Sequence, residues 1–161
     1  MNIFEFAMQK EKYSEHYYRR LADDANNTGL SNIFTMLADE EAKHYSVVEQ
    51  MKSKVPENVC NTDVFVDAGN VFKRMKEGAN KFSFEANQLE TYKKAQEIEK
   101  ESREFYLQKA EEVEDHSQKG IFQKLALEEN RHYFLLENII DFVSRPEQWL
   151  ENAEFHHLED Y

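Results

Sequence analysis

Six side chains of metal-binding type occur in this chain as two copies of one pattern. The pattern is a glutamate followed 30 positions later by a Glu-x-x-His motif. The first copy is Glu11, Glu41 and His44, and the second, 88 positions further on, is Glu99, Glu129 and His132. Carboxylates with two imidazoles suit iron or manganese better than calcium, and they lack the thiolates of a structural zinc site. The repeat therefore predicts a six-ligand site for two metal ions.

The residues around these ligands repeat at the same offset without an insertion. The shared pairs are Ala7/Ala95, Lys12/Lys100, Ser14/Ser102, Tyr18/Tyr106, Ala22/Ala110, Ile33/Ile121, Phe34/Phe122, Leu37/Leu125, Ala38/Ala126, Glu40/Glu128, Tyr45/Tyr133 and Glu49/Glu137. A third Glu-x-x-His motif, at Glu154 and His157, has no glutamate 30 positions upstream and is interpreted as a surface feature. Because a lone motif of this kind is weak evidence, the duplication is what sets the first two apart.

Length, charge and composition limit the class of protein. The 161 residues predict one domain with a real core, and the scarcity of Gly and Pro favours helix almost throughout. A net charge of −12 argues against nucleic acid and an anionic membrane surface as partners, and no apolar run is long enough to span a bilayer. The first residues show no signal-peptide pattern, and a single cysteine, Cys60, fits a reducing cytosol. We therefore expect a cytoplasmic protein.

Apolar periodicity predicts an all-α fold with four long helices. The predicted helices cover about 3–25, a segment beginning near Ser31 as N-cap, 87–114 and 118–143. Two connections are short, whereas 53–85 form a long one with a short helix near 71–75. This spacing predicts two antiparallel hairpins joined by a crossover between helices 2 and 3, hence a ferritin-like four-helix bundle over 1–143. A capping box at 144–147 predicts a short C-terminal helix within 144–161, packed on the bundle or on a partner subunit.

The two hairpins place the glutamates of the repeat at one height. Glu11 and Glu41 are equidistant from the first predicted turn, and Glu99 and Glu129 from the second, at roughly 22 Å along each helix. All four also fall on the apolar stripes, where an unpaired carboxylate costs several kcal/mol or shifts its pKa. Bound cations would resolve this conflict. In each Glu-x-x-His motif the two side chains lie on the same helix face, so that one helix can supply two ligands to one ion.

Four segments resemble the helices of rubrerythrins, a family of ferritin-like proteins. They are AMQKEKYSEHYYRRLAD (7–23), MLADEEAKHYSVV (36–48), EIEKESREFYLQKAEE (97–112) and KLALEENRHYFLL (124–136). The resemblance covers residues 3 to about 143. It implies a site with two non-haem iron ions that reduces hydrogen peroxide or dioxygen in the cytosol. Since one cysteine cannot form the iron site of a rubredoxin domain, it also implies a separate, rubredoxin-like electron donor.

On this interpretation each half of the repeat completes one iron site. We expect Glu11 and Glu99 to bind one iron each, Glu41 and Glu129 to bridge the two ions, and the histidines to complete one ion each. No catalytic residue beyond the ligands is predicted. Rubrerythrins carry an extra glutamate three residues after the ligand of the third helix, where this chain has Ser102. In this respect the predicted site looks more like bacterioferritin or other diiron oxidases.

Two tyrosines are predicted to support the ligands. Tyr18 and Tyr106 lie two turns beyond Glu11 and Glu99 on the same helix faces. We expect their hydroxyls to form hydrogen bonds that orient ligand carboxylates. Tyr45 and Tyr133, which follow the histidines directly, are expected to pack in the core.

Three functions remain open from the sequence. The first is a peroxide- or dioxygen-reducing diiron oxidoreductase, expected to be a homodimer. The second is a ferroxidase and iron-storage protein, which requires a hollow shell of many subunits. The third is a helical bundle that binds metal without catalysis.

Overall fold

The computed structural model describes residues 2–53 and 86–145. The helices there are α1 (Ile3–Asp24), α2 (Thr28–Lys52), α3 (Ala86–Glu112) and α4 (His116–Ser144). The described residues contain no strand, and the predicted all-α four-helix bundle is confirmed. None of the described helices is long and apolar enough to cross a membrane. The predictions for the crossover with its short helix, for Cys60, for Glu154 and His157, and for the tail from 146 onward lie outside the described residues.

The first hairpin is closed by a turn shorter than the sequence predicted. Asn27, not Ser31, is the N-cap of α2, because its side-chain oxygen accepts a hydrogen bond from the Leu30 backbone N–H at 3.0 Å. This bond satisfies one of the donors that a helix start leaves free. Ser31 instead lies in the first turn of α2 and donates its hydroxyl to the Ala22 carbonyl oxygen at 2.8 Å. The start of α2 is thereby fixed to the end of α1.

The second hairpin is closed in a similar way. Asp115 is the N-cap of α4 and accepts a hydrogen bond from the Gln118 backbone N–H at 2.9 Å. The helix therefore begins at His116, two residues before the predicted start. In each hairpin the two helices pack along each other, and fewer contacts join α1 to α3 or α2 to α4. These short turns make the helices of each pair antiparallel neighbours, and so they fix which residues lie at the same height.

The core consists of two apolar clusters. One is formed by Tyr18, Leu21, Ala22, Leu30, Ile33, Phe34, Leu37, Ala38, Tyr92, Ala95, Leu135, Leu136, Ile139, Phe142 and Val143. The other is formed by Ala7, Val47, Val48, Met51, Tyr106, Ala110, Ile121, Phe122, Leu125 and Ala126. Along each helix, the buried polar residues other than Asn138 fall between members of the two clusters. A buried polar layer thus lies inside an apolar bundle.

Tyr45 and Tyr133 are only half-buried, so the prediction that they pack in the core is wrong. Lys12 Nζ lies 5.2 Å from the centroid of the Tyr45 ring, and Arg103 Cζ lies 5.3 Å from that of Tyr133. Cations at this distance are attracted to the ring face. Both tyrosines therefore lie at the bundle surface, beneath a cation.

Candidate metal centre

The structure brings the six predicted ligands together in the polar layer, with at least one from each helix. All six are at most 2% exposed to solvent. They are Glu11 on α1, Glu41 and His44 on α2, Glu99 on α3, and Glu129 and His132 on α4. The register that places them at one height is set by the two short turns.

Their ligand atoms form two overlapping groups, each of four atoms that lie within 4.8 Å of one another. One group is Glu11, Glu41, His44 and Glu129, and the other is Glu41, Glu99, Glu129 and His132. Glu41 and Glu129 belong to both groups. Each group is then completed by one further glutamate and one histidine. This is the arrangement expected of two adjacent cation positions that share two bridging carboxylates.

Both histidines present Nδ1 to the carboxylates. His44 Nδ1 lies 3.2 Å from Glu129 Oε1 and 3.6 Å from Glu11 Oε2. His132 Nδ1 lies 2.9 Å from Glu41 Oε1 and 3.4 Å from Glu99 Oε1. The two rings are nearly parallel, with centroids 5.6 Å apart. In both cases Nδ1 is the nitrogen placed to bind a cation among these carboxylates.

Several carboxylate oxygens of this layer lack the partners that buried polar groups normally have. Within the described part of the chain, Glu11 Oε2, Glu99 Oε2 and Glu129 Oε2 are buried and form no hydrogen bond. Buried oxygens without a partner are unfavourable unless something else compensates for their lost hydration. A pair of cations would supply that compensation. The side chains present therefore fit a site for two metal ions.

The pKa values of these groups show how the layer balances its charge without a cation. Burial and the neighbouring Glu129 raise the pKa of Glu99 to about 8, and burial with the charges of Glu129 and Glu99 raises the pKa of Glu41 well above its usual range. Although burial opposes it, the charge of His44 holds the pKa of Glu11 below its ordinary value. Carboxylates likewise raise the pKa of both histidines despite their burial. Protons bound to these groups thus reduce the negative charge of the buried layer, as bound cations would.

Tyr18 and Tyr106 contact the ligands across the bundle. The Tyr18 hydroxyl donates a hydrogen bond to Glu99 Oε1, and the Tyr106 hydroxyl donates one to Glu11 Oε1. Both tyrosines are at most 2% exposed. Each tyrosine therefore contacts the ligand glutamate of the other half of the repeat. The spacing in the sequence had related each tyrosine only to the ligand glutamate on its own helix.

We expect Tyr18→Phe and Tyr106→Phe each to weaken metal binding about 10- to 100-fold, because an outer hydrogen bond orients a ligand carboxylate. The affinities can be measured by anaerobic titration with Co²⁺, followed by its visible absorption. Tyr17→Phe is the matched control, since the Tyr17 hydroxyl donates to the Thr91 carbonyl oxygen, 2.9 Å away and outside the site. Equal affinities in all three variants would show that the hydroxyls do not support the ligands.

Two further glutamates of the polar layer were not predicted as site residues. Glu40 is 5% exposed and Glu128 is fully buried. His44 donates from Nε2 to Glu128 Oε2 at 2.6 Å, while Glu40 Oε1 lies 3.3 Å from Lys43 Nζ. The signal for them in the sequence was the repeat, which matches Glu40 with Glu128 just before each Glu-x-x-His motif.

A surface pocket of about 300 Å³ lies between α1 and α3. It is lined by Phe6, Gln9, Lys10, Tyr13, Ser14, Ile98, Glu101 and Ser102. Ser14 and Ser102 are only 3% and 4% exposed. Each lies one helical turn after a ligand, Glu11 or Glu99, on the same helix face. The pocket therefore reaches from the surface towards the carboxylate layer.

The comparison with known protein families gives a match. The sequence model of the family described as rubrerythrin matches residues 2–140, a span that includes all four helix segments of the metal centre. The chain belongs to the rubrerythrin family. No curated protein and no solved structure matches it. Rubrerythrins typically bind iron and have oxidoreductase roles, and in this chain a buried cluster of carboxylates and imidazoles could hold a metal.

Proposed function

We propose that this rubrerythrin-family chain is a non-haem diiron oxidoreductase that reduces hydrogen peroxide with electrons from an external carrier. The observation that carries the proposal is the pair of four-atom groups that share Glu41 and Glu129. One group alone would fit a single ion. Two groups with shared carboxylates fit two ions held side by side, which is what a two-electron reduction of one small molecule requires.

In this proposal each cation position takes its own ligands from both hairpins. Glu11 and His44 would hold one cation, Glu99 and His132 would hold the other, and Glu41 and Glu129, which belong to both groups, would be shared between them. The oxygen and imidazole ligands suit iron, with manganese as the other candidate metal. Because every ligand is buried between two apolar clusters, bulk water is kept away from the layer.

When bound, a pair of ferrous ions supplies two electrons, which with two protons convert one peroxide into two waters. The role of the chain is to keep the two cation positions adjacent through Glu41 and Glu129 and to orient the ligand carboxylates that are not shared. Tyr18 and Tyr106 do the latter through their hydrogen bonds to Glu99 and Glu11.

The pocket between α1 and α3 supports a small substrate. Its volume, about 300 Å³, admits peroxide, dioxygen and water, and its buried end is formed by the hydroxyl-bearing Ser14 and Ser102. These hydroxyls can donate hydrogen bonds to a peroxide oxygen. We propose that oxidant and protons enter from this side, opposite the histidine-bearing helices α2 and α4.

The partners of the reaction are part of the same proposal. Electrons are proposed to come from a rubredoxin-like carrier. The single cysteine in the sequence supports a cytosolic location. A homodimer is the proposed assembly.

The proposal is tested by oxidation of the ferrous protein. After anaerobic loading with two iron ions, rapid mixing with hydrogen peroxide should oxidise the centre at least about tenfold faster than mixing with dioxygen at equal concentration, a difference of about 1.4 kcal/mol in the barrier. With NADH, its reductase and a rubredoxin-type carrier, the protein should then consume peroxide catalytically. Faster oxidation by dioxygen, or no turnover with the carrier, would contradict a peroxidase.

A second candidate function is ferroxidase activity with iron storage. It is favoured by Ser102, which occupies the place of the extra rubrerythrin glutamate and leaves a symmetric six-ligand set like that of bacterioferritin. Storage requires a hollow shell, so the mass in solution discriminates at once: a dimer excludes it. A protein that binds neither iron nor manganese after anaerobic purification would instead support a bundle without redox function.

A further inference from the structure

The two histidines of the metal centre differ at the nitrogen that faces away from the carboxylate ligands. His44 Nε2 donates a hydrogen bond of 2.6 Å to Glu128 Oε2, and both side chains are fully buried. His132 Nε2 is also buried, yet it forms no hydrogen bond within the described part of the chain. The repeat is therefore symmetric in its ligands but asymmetric in what holds the two imidazoles.

The cause of the difference lies in Glu40, the residue that the repeat matches with Glu128. By symmetry Glu40 would accept the Nε2–H of His132. Its Oε1 instead lies 3.3 Å from Nζ of Lys43, which is on the same helix and more than half exposed. Glu40 Oε2 is buried without a hydrogen bond. A carboxylate oxygen of Glu40 lies within 4.8 Å of a ring nitrogen of His44 and of a carboxylate oxygen of Glu128. Glu40 thus lies in the buried layer beside His44 and Glu128, with its Oε1 near Lys43, and His132 Nε2 is left without a hydrogen bond.

We propose that Glu128 is a positioning residue for His44 and that the two cation positions are unequal, the one completed by Glu11 and His44 binding its ion first and more tightly. A carboxylate that accepts the Nε2–H fixes the tautomer in which the Nδ1 lone pair faces the cation, and it also fixes the plane of the ring. The imidazole of His132 has neither constraint, so it must lose more conformational freedom when a cation binds at its position. The inference rests on the proposed ligand assignment.

Unequal positions imply ordered loading. At one equivalent of metal, the ion occupies the His44 position, and only further metal fills the position of His132. Since Glu41 and Glu129 are shared, the first ion also draws both bridging carboxylates into place. The pair of ions is then assembled in one order, with the less constrained position filling last.

The test is a two-step anaerobic titration of the metal-free full chain with Co²⁺, followed by visible absorption. The wild type should bind two ions in two resolved steps. Glu128→Leu, which keeps bulk but removes the acceptor, should weaken the tighter step about 10- to 100-fold. The control Glu137→Leu, at an exposed position of the same helix, should change either step less than about threefold. Glu128→Gln, whose amide oxygen still accepts a hydrogen bond, should restore part of the lost affinity. Helical content and thermal midpoint of the metal-free variants control for folding.

Removal of each histidine assigns the steps. His44→Asn should eliminate the tighter step, and His132→Asn should eliminate the weaker one. Two Co²⁺ ions bound with equal affinity, or equal losses in Glu137→Leu and Glu128→Leu, would overturn this inference and leave the proposed function standing. A wild type that binds fewer than two ions would overturn both.

Discussion

Glu129→Ala should abolish peroxide reduction and prevent the chain from holding two iron ions. Glu129 is one of the two carboxylates shared by both four-atom groups, and its Oε1 lies 3.2 Å from His44 Nδ1. Its loss removes a ligand from both cation positions at once. Loss of an outer partner alone costs about 10- to 100-fold, so we expect turnover to fall by more than about 100-fold. Iron per chain after anaerobic reconstitution and the initial rate of peroxide consumption are the measurements.

Two variants serve as controls for this result. Glu137→Ala removes an exposed carboxylate from the same helix and should change neither iron content nor rate. Glu11→Ala removes a residue that belongs to one group only, and it should leave close to one ion per chain. The proposal for the bridging carboxylates is wrong if Glu129→Ala retains two ions and full turnover while its helical content is unchanged.

The fold could be predicted because two physical signals agree. The apolar stripes gave the helices, and the short connections at both hairpins left only an antiparallel arrangement. The exact helix starts could not be predicted, since Asn26, Asn27, Thr28 and Ser31 are all residues that can occupy or follow a cap. Gly29, a residue type that favours turns and helix ends, lies inside α2. The choice is made by the Asn27 side chain, which accepts the Leu30 N–H.

The ligands could be predicted because equal distance from a turn places two residues at one height in a hairpin. How the two hairpins face each other could not be derived in this way. Tyr18 therefore points to Glu99 of the other hairpin, although its helix relates it only to Glu11. Periodicity also failed for Glu128, which lies about 100° around the helix from Glu129 and was not assigned to the buried face. It is buried because it meets His44.

The repeat in the sequence could not predict the asymmetry between the two halves of the site. Matched residues predict matched roles, and Glu40 and Glu128 are matched. Their environments differ, because Glu128 accepts a hydrogen bond from His44 whereas Glu40 Oε1 lies near Lys43. A duplicated sequence therefore predicts which residues form a site more reliably than it predicts whether the two halves of that site are equivalent.

The metal-free protein should become less stable as the pH rises from 6 to 8, whereas the metal-loaded protein should not. The folded-state pKa of Glu99 is raised to about 8 from an ordinary value of 4.5, so between these values only the folded chain holds that proton. This contribution to the free energy of unfolding is complete below 4.5 and is lost as the pH rises through 8. Glu41 and both histidines, whose pKa values are also raised, act in the same direction. The loss from Glu99 alone is about 2 kcal/mol.

Bound cations replace these protons, so metal affinity should rise over the same pH range and the gain in stability on loading should widen. Urea unfolding of chelator-treated and Mn²⁺-loaded protein at pH 6, 7 and 8, followed by circular dichroism, measures both trends. Glu99→Gln, which cannot ionise, should flatten the slope of the metal-free protein, whereas Glu104→Gln, exposed on the same helix, should keep it. A metal-free protein that gains stability between pH 6 and 8 would contradict this prediction, because stability rises with pH only where the unfolded state binds more protons than the folded state.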